Sequence, residues 1–504
     1  MDTQSSKTNT FVVDDLGLLR CPINMILCYD PVVAQDGYTY ERRCIETHFE
    51  TKQTSPMTNE SIGTSLTSNF IVKQIIQNVL NNNSNLQKEF EESKKEYSHR
   101  FGKELFDACR YGNINASQLL LEKGAEVNWT NSNGWTPLFV ACKKGHVEAT
   151  RLLLENGAAV DLANNNGFTP LYPACGCGGH IEAAQLLLDN GAKVDGMTNI
   201  DVTPLFTACV CGHVNAARLL LDNGADIEAE DDGWTPLFIA CEHCHVDLAR
   251  LLLEKGAKID RRCNNGWTPL LLACNDDDVN VARLLLNNGA DVNLAHKCGS
   301  TPLYFACEMD HVDFARLLLD NGADVNLAHK CGCTPLHLVC DRGHVDFVRL
   351  LLDNRAKVNR TDNKGFTPLY VACGKGHDDV VHLLLEKGAE VNIANDNGFA
   401  PLYVACLKGR VDVARFLLEK GAEVNFANGN GFTPLYAACL NGHVDVVRLL
   451  LEKGAEVDKP NKKGVTPVHI AKVRDHSAIV AMLELQATFA SDNTQEKNTV
   501  SEKK

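Results

Sequence analysis

The chain has 504 residues, 44% of them hydrophobic, and a formal net charge of −15. At this length it is too long to fold around a single compact core. An acidic protein is a poor candidate for nucleic-acid binding, because that binding depends on Lys and Arg neutralising phosphates. No stretch approaches the roughly 18 apolar residues of a transmembrane helix, and residues 1–13 are polar and unlike a signal peptide. Composition therefore predicts a protein of the cytoplasm or nucleus that does not insert into membranes.

The N-terminal region changes character at residue 14. Residues 1–13 have little to bury, which predicts a disordered tail. Further on, Pro31–Ala34 predicts a short strand, and Gln35–Gly37 predicts a turn. Thr39 is then expected to cap a helix that buries Tyr40, Cys44, Ile45 and Phe49. A second helix is expected after Asn69, with a buried stripe at Ile71, Val72, Ile75, Ile76 and Val79.

Four phrases occur here in order: Cys21-Pro-Ile-Asn-Met25, Asp30-Pro-Val-Val-Ala34, Asp36-Gly-Tyr-Thr-Tyr-Glu-Arg42 and Ser55-Pro-Met-Thr-Asn-Glu60. Together they resemble the U-box family of ubiquitin ligases over roughly Leu16–Leu80. The resemblance implies a small α+β module, RING-like in shape but free of zinc. The residues agree, because Cys21, Cys28, Cys44 and His48 are too few for two four-ligand zinc sites. No metal or other cofactor is expected.

The resemblance also implies a groove that holds a ubiquitin-conjugating enzyme. It places Ile23 and Met25 in one loop of that groove and Pro56 in a second, where apolar side chains would dominate the contact; the alternative is that they only fill a small core. Asn59 stands where the family often has an Arg that bridges ligase and ubiquitin, and His48 stands where it commonly has Trp. Asn lacks the charge and the five donors of Arg, which implies slower transfer or stronger dependence on the conjugating enzyme.

Residues 83–100 follow an Asn- and Ser-rich break and are densely charged. This pattern predicts an exposed helical linker. A coiled coil is the alternative, but the segment lacks sustained apolar heptads, which favours a monomeric spacer.

Residues 101–486 repeat one phrase with a period close to 33 residues, built from variants of Thr-Pro-Leu, Gly-His and a leucine-rich run. This period and these phrases resemble ankyrin repeats, which implies a β-turn finger and two antiparallel helices per repeat, stacked into an α-solenoid. Lys103–Val127 is read as a twelfth repeat that lacks the proline. The repeat prolines are Pro137, Pro170, Pro204, Pro236, Pro269, Pro302, Pro335, Pro368, Pro401, Pro434 and Pro467.

Each repeat carries its own start, stop and core signals. The Thr before the proline predicts a helix N-cap, and a Gly after the leucine run predicts a left-handed helix end. Arg355 replaces that Gly once, at an expected cost of about 1 kcal/mol. A recurring cysteine predicts small, reduced core side chains rather than disulfides. These cysteines are Cys109, Cys142, Cys175, Cys209, Cys241, Cys274, Cys307, Cys340, Cys373, Cys406 and Cys439.

The third repeat is irregular. Pro173 falls inside its predicted first helix, Cys175–Gly179 adds one residue to the next loop, and the finger near Asp231 is one residue short. A bend or weakened interface and a change absorbed in surface loops are both open interpretations.

Two groups of Cys and His residues fall on neighbouring loops or fingers. Packed helices lie about 8–10 Å apart, whereas zinc needs each ligand within about 2.3 Å, so structural roles are favoured over metal binding. The first group is Cys177, Cys211, Cys244, His180, His213, His243 and His245; the second is His296, Cys298, His329 and Cys331.

Aromatic residues recur at two positions of the repeat. The outer aromatic residues precede Thr-Pro, and the ankyrin resemblance places them on the finger that faces the concave, partner-binding groove. They are expected either to form a binding strip or to pack on the next finger, whereas the inner aromatic residues, four positions later, are expected to pack between repeats. The outer set is Trp135, Phe168, Trp234, Trp267, Phe366, Phe399 and Phe432; the inner set is Phe139, Tyr172, Phe206, Phe238, Tyr304, Tyr370, Tyr403 and Tyr436.

The sequence thus predicts a mainly α protein with a tail (1–13), a U-box (14–82), a linker (83–100), about twelve ankyrin repeats (101–486) and a second disordered tail (487–504). The implied function is a ubiquitin ligase that brings a ubiquitin-charged conjugating enzyme to a protein substrate held by the repeats. It would supply proximity and no covalent intermediate or catalytic side chain. The alternatives are a non-catalytic ankyrin scaffold, which Asn59 alone favours, and an adaptor that tethers membrane proteins to the cytoskeleton.

Overall fold

The computed structural model describes residues 31–34, 39–41, 67–68, 77, 80, 84–176, 178–196, 198–199 and 202–488. The predicted disorder of residues 1–13 and of most of the C-terminal tail lies outside these ranges. The chain divides into two compact units, one formed by Met1–Thr207 with Asp222–Gly224, the other by Ala208–Leu221 with Ala225–Lys504.

Three short strands form an antiparallel sheet in the order β2-β1-β3, with β1 at Pro31–Val33, β2 at Thr39–Glu41 and β3 at Thr67–Ser68. The strand predicted at Pro31 is confirmed. The helix cap at Thr39 is wrong, since Thr39 pairs with Val33 in the sheet and Tyr40 pairs with Val32. β-Branched and aromatic residues favour strands, and pairing with β1 satisfies their backbone groups.

Helical structure in the second predicted U-box helix is described at positions 77 and 80, where Leu80 is buried and Gln77 exposed. Its predicted cap and apolar stripe lie outside the described residues, as do the predicted helix positions Cys44, Ile45 and Phe49.

The linker and the first repeat share one helix, Ser84–Arg110. Its linker part is exposed at the described charged side chains Glu91, Glu92 and Lys95, which agrees with a solvated spacer. Its C-terminal part is buried at Leu105 and Cys109 and packs against the helix at 114–122. The repeat without a proline therefore begins on the helix that leaves the linker.

Within residues 84–488, twelve helical pairs follow one another. Within each compact unit, the first helix of a repeat packs on the second helix of the same repeat and on the first helices of neighbouring repeats. The helices are Ser84–Arg110, Ile114–Glu122, Pro137–Lys144, Val147–Glu155, Leu171–Cys175, Ile181–Asp189, Pro204–Cys211, Val214–Asp222, Pro236–Glu242, Val246–Glu254, Pro269–Asn275, Val279–Asn287, Pro302–Met309, Val312–Asp320, Pro335–Arg342, Val345–Asp353, Pro368–Lys375, Asp378–Glu386, Pro401–Leu407, Val411–Glu419, Pro434–Asn441, Val444–Glu452, Pro467–Val473 and residues 477–488.

The predicted N-caps are confirmed in most repeats. The Thr hydroxyl accepts the backbone N–H three residues later, for example from Tyr370 to Thr367 at 3.1 Å, and Pro occupies the first turn. Ala400 has no hydroxyl, and its helix starts without a side-chain cap bond. The same bond is made by Thr136, Thr203, Thr235, Thr268, Thr301, Thr433 and Thr466.

The glycines after the second helices are left-handed, as predicted. Gly322 has φ +85°, and Arg355 adopts φ +67° at the equivalent position. A Cβ added to Gly322 would meet nothing within 4 Å. The penalty for a side chain here is therefore conformational rather than a clash.

The irregular sequence of the third repeat has local structural consequences. Its first helix spans only Leu171–Cys175 and begins after Pro170 rather than after a Thr cap. Among the described side chains, the Oγ1 of Thr169 is one of the few buried polar atoms without a hydrogen-bond partner. Whether the array bends near this repeat stays a prediction.

The shortened finger near Asp231 closes with a tight turn. Asp231 and Trp234 form an antiparallel bridge, and the two residues between them, Asp232 and Gly233, have φ +50° and +82°. Two consecutive positive φ values are typical of a type I′ hairpin turn. The missing residue is thus absorbed in the finger itself.

The eleven recurring cysteines are buried, each at most 1% exposed, and the cysteines that the structure describes are all free thiols. Burial raises the pKa of Cys142 and of Cys175 to about 12. These thiols are small, un-ionised core side chains, as the sequence indicates.

An asparagine ladder, which the sequence reading missed, joins neighbouring repeats. The Oδ1 of Asn326 accepts the backbone N–H of Lys357 at 2.8 Å, and its Nδ2 donates to the carbonyl of Arg355 at 3.4 Å. The signal was present in six repeats as a Val-Asn pair, which stands two residues after Gly-Ala or, in one repeat, after Arg355-Ala. The same acceptor bond is made by Asn128, Asn293, Asn359, Asn392 and Asn425, and by Asp161 and Asp260.

Candidate partner-binding surface

The predicted conjugating-enzyme contacts Ile23, Met25, Pro56 and Asn59 lie outside the described residues. The predicted partner-binding residues of the repeats are all described, and they lie on the fingers that connect one repeat to the next.

Six of the fingers are held by a side chain at the base that accepts two backbone N–H groups. The Oδ1 of Asn395 accepts the backbone N–H groups of Asn397 and Phe399, both at 3.0 Å. This Asx-type turn fixes the backbone of the outer aromatic residue. The same pair of bonds is made by Asn131, Asn164, Asp362, Asn428 and Asn461.

Neighbouring fingers are joined by backbone hydrogen bonds. The N–H of Asp396 donates to the carbonyl of Lys364 at 3.1 Å, and the N–H of Asn363 donates to Cys331 at 3.1 Å. Gly365 has φ +76°, and a Cβ there would lie 2.6 Å from the backbone nitrogen of Asp396. Glycine at the finger tip therefore serves both the turn and the close approach of the next finger.

Six of the seven outer rings contact the inner ring of their own repeat. The ring centroids of Phe399 and Tyr403 are 4.2 Å apart, and those of Phe366 and Tyr370 are 4.8 Å apart. The outer rings are half-buried, so part of each ring surface remains accessible. The other four pairs are Trp135–Phe139, Phe168–Tyr172, Trp234–Phe238 and Phe432–Tyr436.

Trp267 differs from the other outer residues. Its inner position is Leu271 rather than an aromatic residue, and its ring instead lies 5.3 Å from His296 and 5.0 Å from Phe305 of the following repeat. Packing against the next finger, one of the two expected roles, thus applies to Trp267. Each of the other six outer residues contacts the inner ring of its own repeat.

Three inner residues, Phe139, Phe238 and Tyr403, are buried, whereas the other five inner residues and all the outer residues are half-buried. Phe238 is 1% exposed and Tyr403 is 8% exposed. Burial raises the pKa of Tyr370 and of Tyr403 to about 12, so both keep their phenolic protons at neutral pH. Together with the outer rings they form an uncharged aromatic surface over residues 366–436 of the second unit.

The outer aromatic series is interrupted where the fingers carry Val202, Ser300 and Cys333, and it ends at Val465. These four fingers keep the backbone bond that closes the finger, for example from His296 N–H to the carbonyl of Ser300 at 2.8 Å. An aromatic ring is therefore not required for the finger to fold, which leaves its accessible face available for recognition.

The Gly-His histidines have a structural role, as predicted. A ring nitrogen of His377 lies 3.0 Å from the carbonyl oxygen of Asp341, at the end of the first helix of the preceding repeat. His146, His245, His311 and His443 make the equivalent contact. Within the residues that the structure describes, no three His, Cys, Asp or Glu side chains are grouped as a metal ion would require.

Trp129 is a structural residue that the sequence reading missed. It is 8% exposed, its ring lies 5.6 Å from Phe106, and its Nε1 donates to His99 at 3.3 Å. A Cβ on Gly102 would lie 2.6 Å from the Trp129 side chain. Trp129 thus packs the first repeat against the linker helix. This role was not predicted because Trp129 lies outside the Thr-Pro phrase.

Comparisons with known proteins agree with this organisation. A model of the U-box domain matches residues 17–85. Models of ankyrin repeats in three copies match residues 105–198, 194–263, 259–329 and 321–395, and models of ankyrin repeats in many copies match 402–451 and 438–484.

Curated relatives match over lengths comparable to the U-box alone. A probable bifunctional E2/E3 enzyme of Acanthamoeba polyphaga mimivirus is 47% identical over 64 residues, which cover 13% of this chain and 5% of the relative. An E3 ubiquitin-protein ligase of Oryza sativa subsp. japonica is 42% identical over 59 residues, covering 11% and 8%. A WD repeat, SAM and U-box domain-containing protein of Danio rerio is 53% identical over 47 residues, covering 9% and 10%. The chain thus spans a tenth or less of these relatives.

No helix in the described part of the chain is both long and apolar enough to cross a membrane. The repeats fill most of the residues after 100, and their twelve helical pairs agree with the matched repeat models. This chain belongs to the ankyrin-repeat proteins and carries a U-box domain ahead of its repeats.

Proposed function

We propose that this protein is a ubiquitin ligase. Its U-box would bind a ubiquitin-charged conjugating enzyme through Ile23, Met25 and Pro56, with Asn59 next to the ubiquitin. The observation that carries the proposal is the U-box match at residues 17–85, together with relatives named as ubiquitin ligases. Transfer would be aminolysis of the thioester by a substrate lysine, promoted by proximity, with no ubiquitin held covalently on the ligase.

The ankyrin repeats would hold the protein substrate. The outer aromatic residues support this role, because hydrogen bonds at the finger base fix the backbones of five of them and contact with the inner ring restricts six of the rings. Rigid aromatic side chains lose little entropy on binding and dominate many protein interfaces. Free thiols throughout the described repeats support a reducing compartment, the cytoplasm or the nucleus.

An autoubiquitylation assay with a panel of conjugating enzymes tests the ligase proposal. Ile23→Ala should abolish transfer by the full-length protein, because it removes an apolar contact with the enzyme rather than core volume. Its circular dichroism should match that of the wild type. Activity within twofold of the wild type in a folded Ile23→Ala protein would show that Ile23 is not part of the enzyme-binding loop.

The second candidate is a non-catalytic scaffold whose U-box serves only for binding, and Asn59 favours it. Asn59→Arg separates the two, since a guanidinium would restore a charged, multidentate donor. In a ligase limited by this position, ubiquitin discharge should rise with several conjugating enzymes. If wild-type and Asn59→Arg proteins both bind a conjugating enzyme but neither promotes discharge, the scaffold function is supported.

A further inference from the structure

Two adjacent fingers, His296–Ser300 and His329–Cys333, carry nearly the same phrase where the outer aromatic series is interrupted. In each finger, the Nδ1 of the His lies 3.0 Å from the Sγ of the Cys two residues later. The backbone N–H of that Cys also donates to Nδ1, at 3.3 Å in the first finger and 3.2 Å in the second. A neutral ring that accepts at Nδ1 carries its proton on Nε2, so a basic nitrogen faces the thiol.

The histidines replace the residue that normally holds the finger. His296 stands four positions before Ser300, as Asn395 stands four positions before Phe399. Both side chains accept the backbone N–H two residues further on. A His at this position therefore keeps the finger turn and adds a group that can take a proton, which an Asn cannot do.

Cys298 has further stabilising contacts. Its Sγ lies 3.2 Å from the Oγ of Ser300, and His329 of the next finger also interacts with it. Partial burial opposes ionisation of Cys298, but hydrogen bonds from Ser300 and His329 outweigh it and lower the pKa of the thiol.

The titratable and charged groups around Cys298 come from three elements. Its own finger supplies His296 and Lys297, whose Nζ donates to the carbonyl of Asn264. The next finger supplies His329, Cys331 and Lys330, and the helix Pro302–Met309 supplies Tyr304, which stacks on His329.

Cys331 shares the contact with the His of its own finger, but Cys333 takes the place of Ser300 there, and other described thiols lack the combination found at Cys298. Burial and the neighbouring Cys331 raise the pKa of Cys333 to about 12. A hydrogen bond to Asp278 and partial burial raise the pKa of the exposed Cys244 to about 11. The eleven recurring cysteines are buried in the cores of their repeats.

We propose that Cys298 is a modification site for small hydroperoxides, with His296 as the base that takes the thiol proton. The thiolate attacks one peroxide oxygen, so an S–O bond forms as the O–O bond breaks. The leaving hydroxide or alkoxide takes the proton from the His296 imidazolium, giving water or an alcohol together with a cysteine sulfenic acid. The sulfur is oxidised and the peroxide reduced. A low-molecular-weight thiol can then condense with the sulfenic acid, releasing water and forming a mixed disulfide.

The site can be tested on the reduced, full-length protein, independently of ligase activity. Limiting hydrogen peroxide is added with dimedone, which traps sulfenic acids, and adducts at each cysteine are quantified by mass spectrometry. Each unit of thiol pKa lowering raises the thiolate fraction about tenfold and lowers nucleophilicity about threefold. The adduct at Cys298 should therefore exceed that at Cys244 at least severalfold. Equal labelling of the two cysteines would overturn the proposal.

His296→Asn is the matched variant, because Asn holds this position in other fingers. It should keep the finger and remove the base, so dimedone labelling at Cys298 should fall to the level of Cys244. The pH midpoint of iodoacetamide alkylation at Cys298 should also move upward, and circular dichroism should be unchanged. Preserved selective labelling in a folded His296→Asn protein would overturn the role of His296. Ser300→Ala, which removes only the hydroxyl, provides an independent check and should raise the same midpoint.

Discussion

At the scale of single residues, the energetic cost of the side chain at Arg355 comes from its backbone conformation rather than from contacts with neighbouring atoms. Its φ of +67° is one that L-residues avoid, and the equivalent glycines have φ between +81° and +94°. Nothing lies within 4 Å of a Cβ added to Gly322 or Gly388. The array therefore tolerates the side chain sterically while the backbone of that residue is strained.

Arg355→Gly should stabilise the protein by about 1 kcal/mol, because it removes the left-handed penalty without deleting a buried contact; Arg355 is exposed. The measurement is the midpoint of urea unfolding followed by circular dichroism. Gly322→Ala is the matched control and should destabilise by a similar amount. A lower midpoint for Arg355→Gly would mean that the Arg side chain makes a stabilising contact in solution.

Among structural elements, the loops after the second helices join one repeat to the next. The asparagine ladder satisfies a backbone donor of each following repeat, as with Asn326 and Lys357 at 2.8 Å. Asp161 fills the same place and accepts from Lys193 at 3.1 Å. Acceptance of that N–H is thus the shared function, and four of the asparagines add donation by Nδ2, namely Asn326, Asn359, Asn392 and Asn425.

Asn326→Leu should destabilise the protein by about 1 kcal/mol or more, because it leaves the N–H of Lys357 without its acceptor. Asn326→Asp keeps the acceptor and should cost less. Both are measured by urea unfolding, together with amide hydrogen exchange at Lys357, which should accelerate only in the Leu variant. Equal destabilisation by Asp and Leu would show that Nδ2 donation matters more than acceptance.

In the molecule as a whole, the residues that hold each finger are separate from the outer rings to which we assign partner binding. The base residue, the tip glycine and the inner ring hold the finger, while the outer ring adds an accessible face. Ser300, Cys333 and Val465 show that the finger survives without an outer ring. The cysteine site proposed at Cys298 lies in this interruption of the aromatic series.

Replacing Phe366 and Phe399 with Ser, the residue found at position 300, should preserve the fold and weaken capture of the protein partner. Loss of two aromatic contacts at an interface is expected to cost several kcal/mol. Recovery of the partner of the wild-type repeats is measured by pull-down, with circular dichroism as the folding check. Tyr111→Ser removes an aromatic residue that is 74% exposed but not on a finger and should leave recovery unchanged. Equal recovery with the double variant would show that these rings serve only to pack the fingers.

The sequence by itself determined the repeat architecture, because the signals for each repeat are local. Thr and Pro start the first helix, Gly ends the second, and Cys373 and its equivalents fill a core made by nearest neighbours. A solenoid needs few long-range contacts, so periodicity alone predicts which side chains are buried.

Only the tertiary structure decided details that depend on a particular neighbour. Thr39 is in a strand because β1 lies beside it, which outweighs its capping propensity. Trp267 packs on the next repeat because its own inner position is Leu271 and the next repeat offers His296 and Phe305. The contact between His296 and Cys298 likewise exists because a His takes the place of the finger-base Asn, so that one turn brings a base to a thiol.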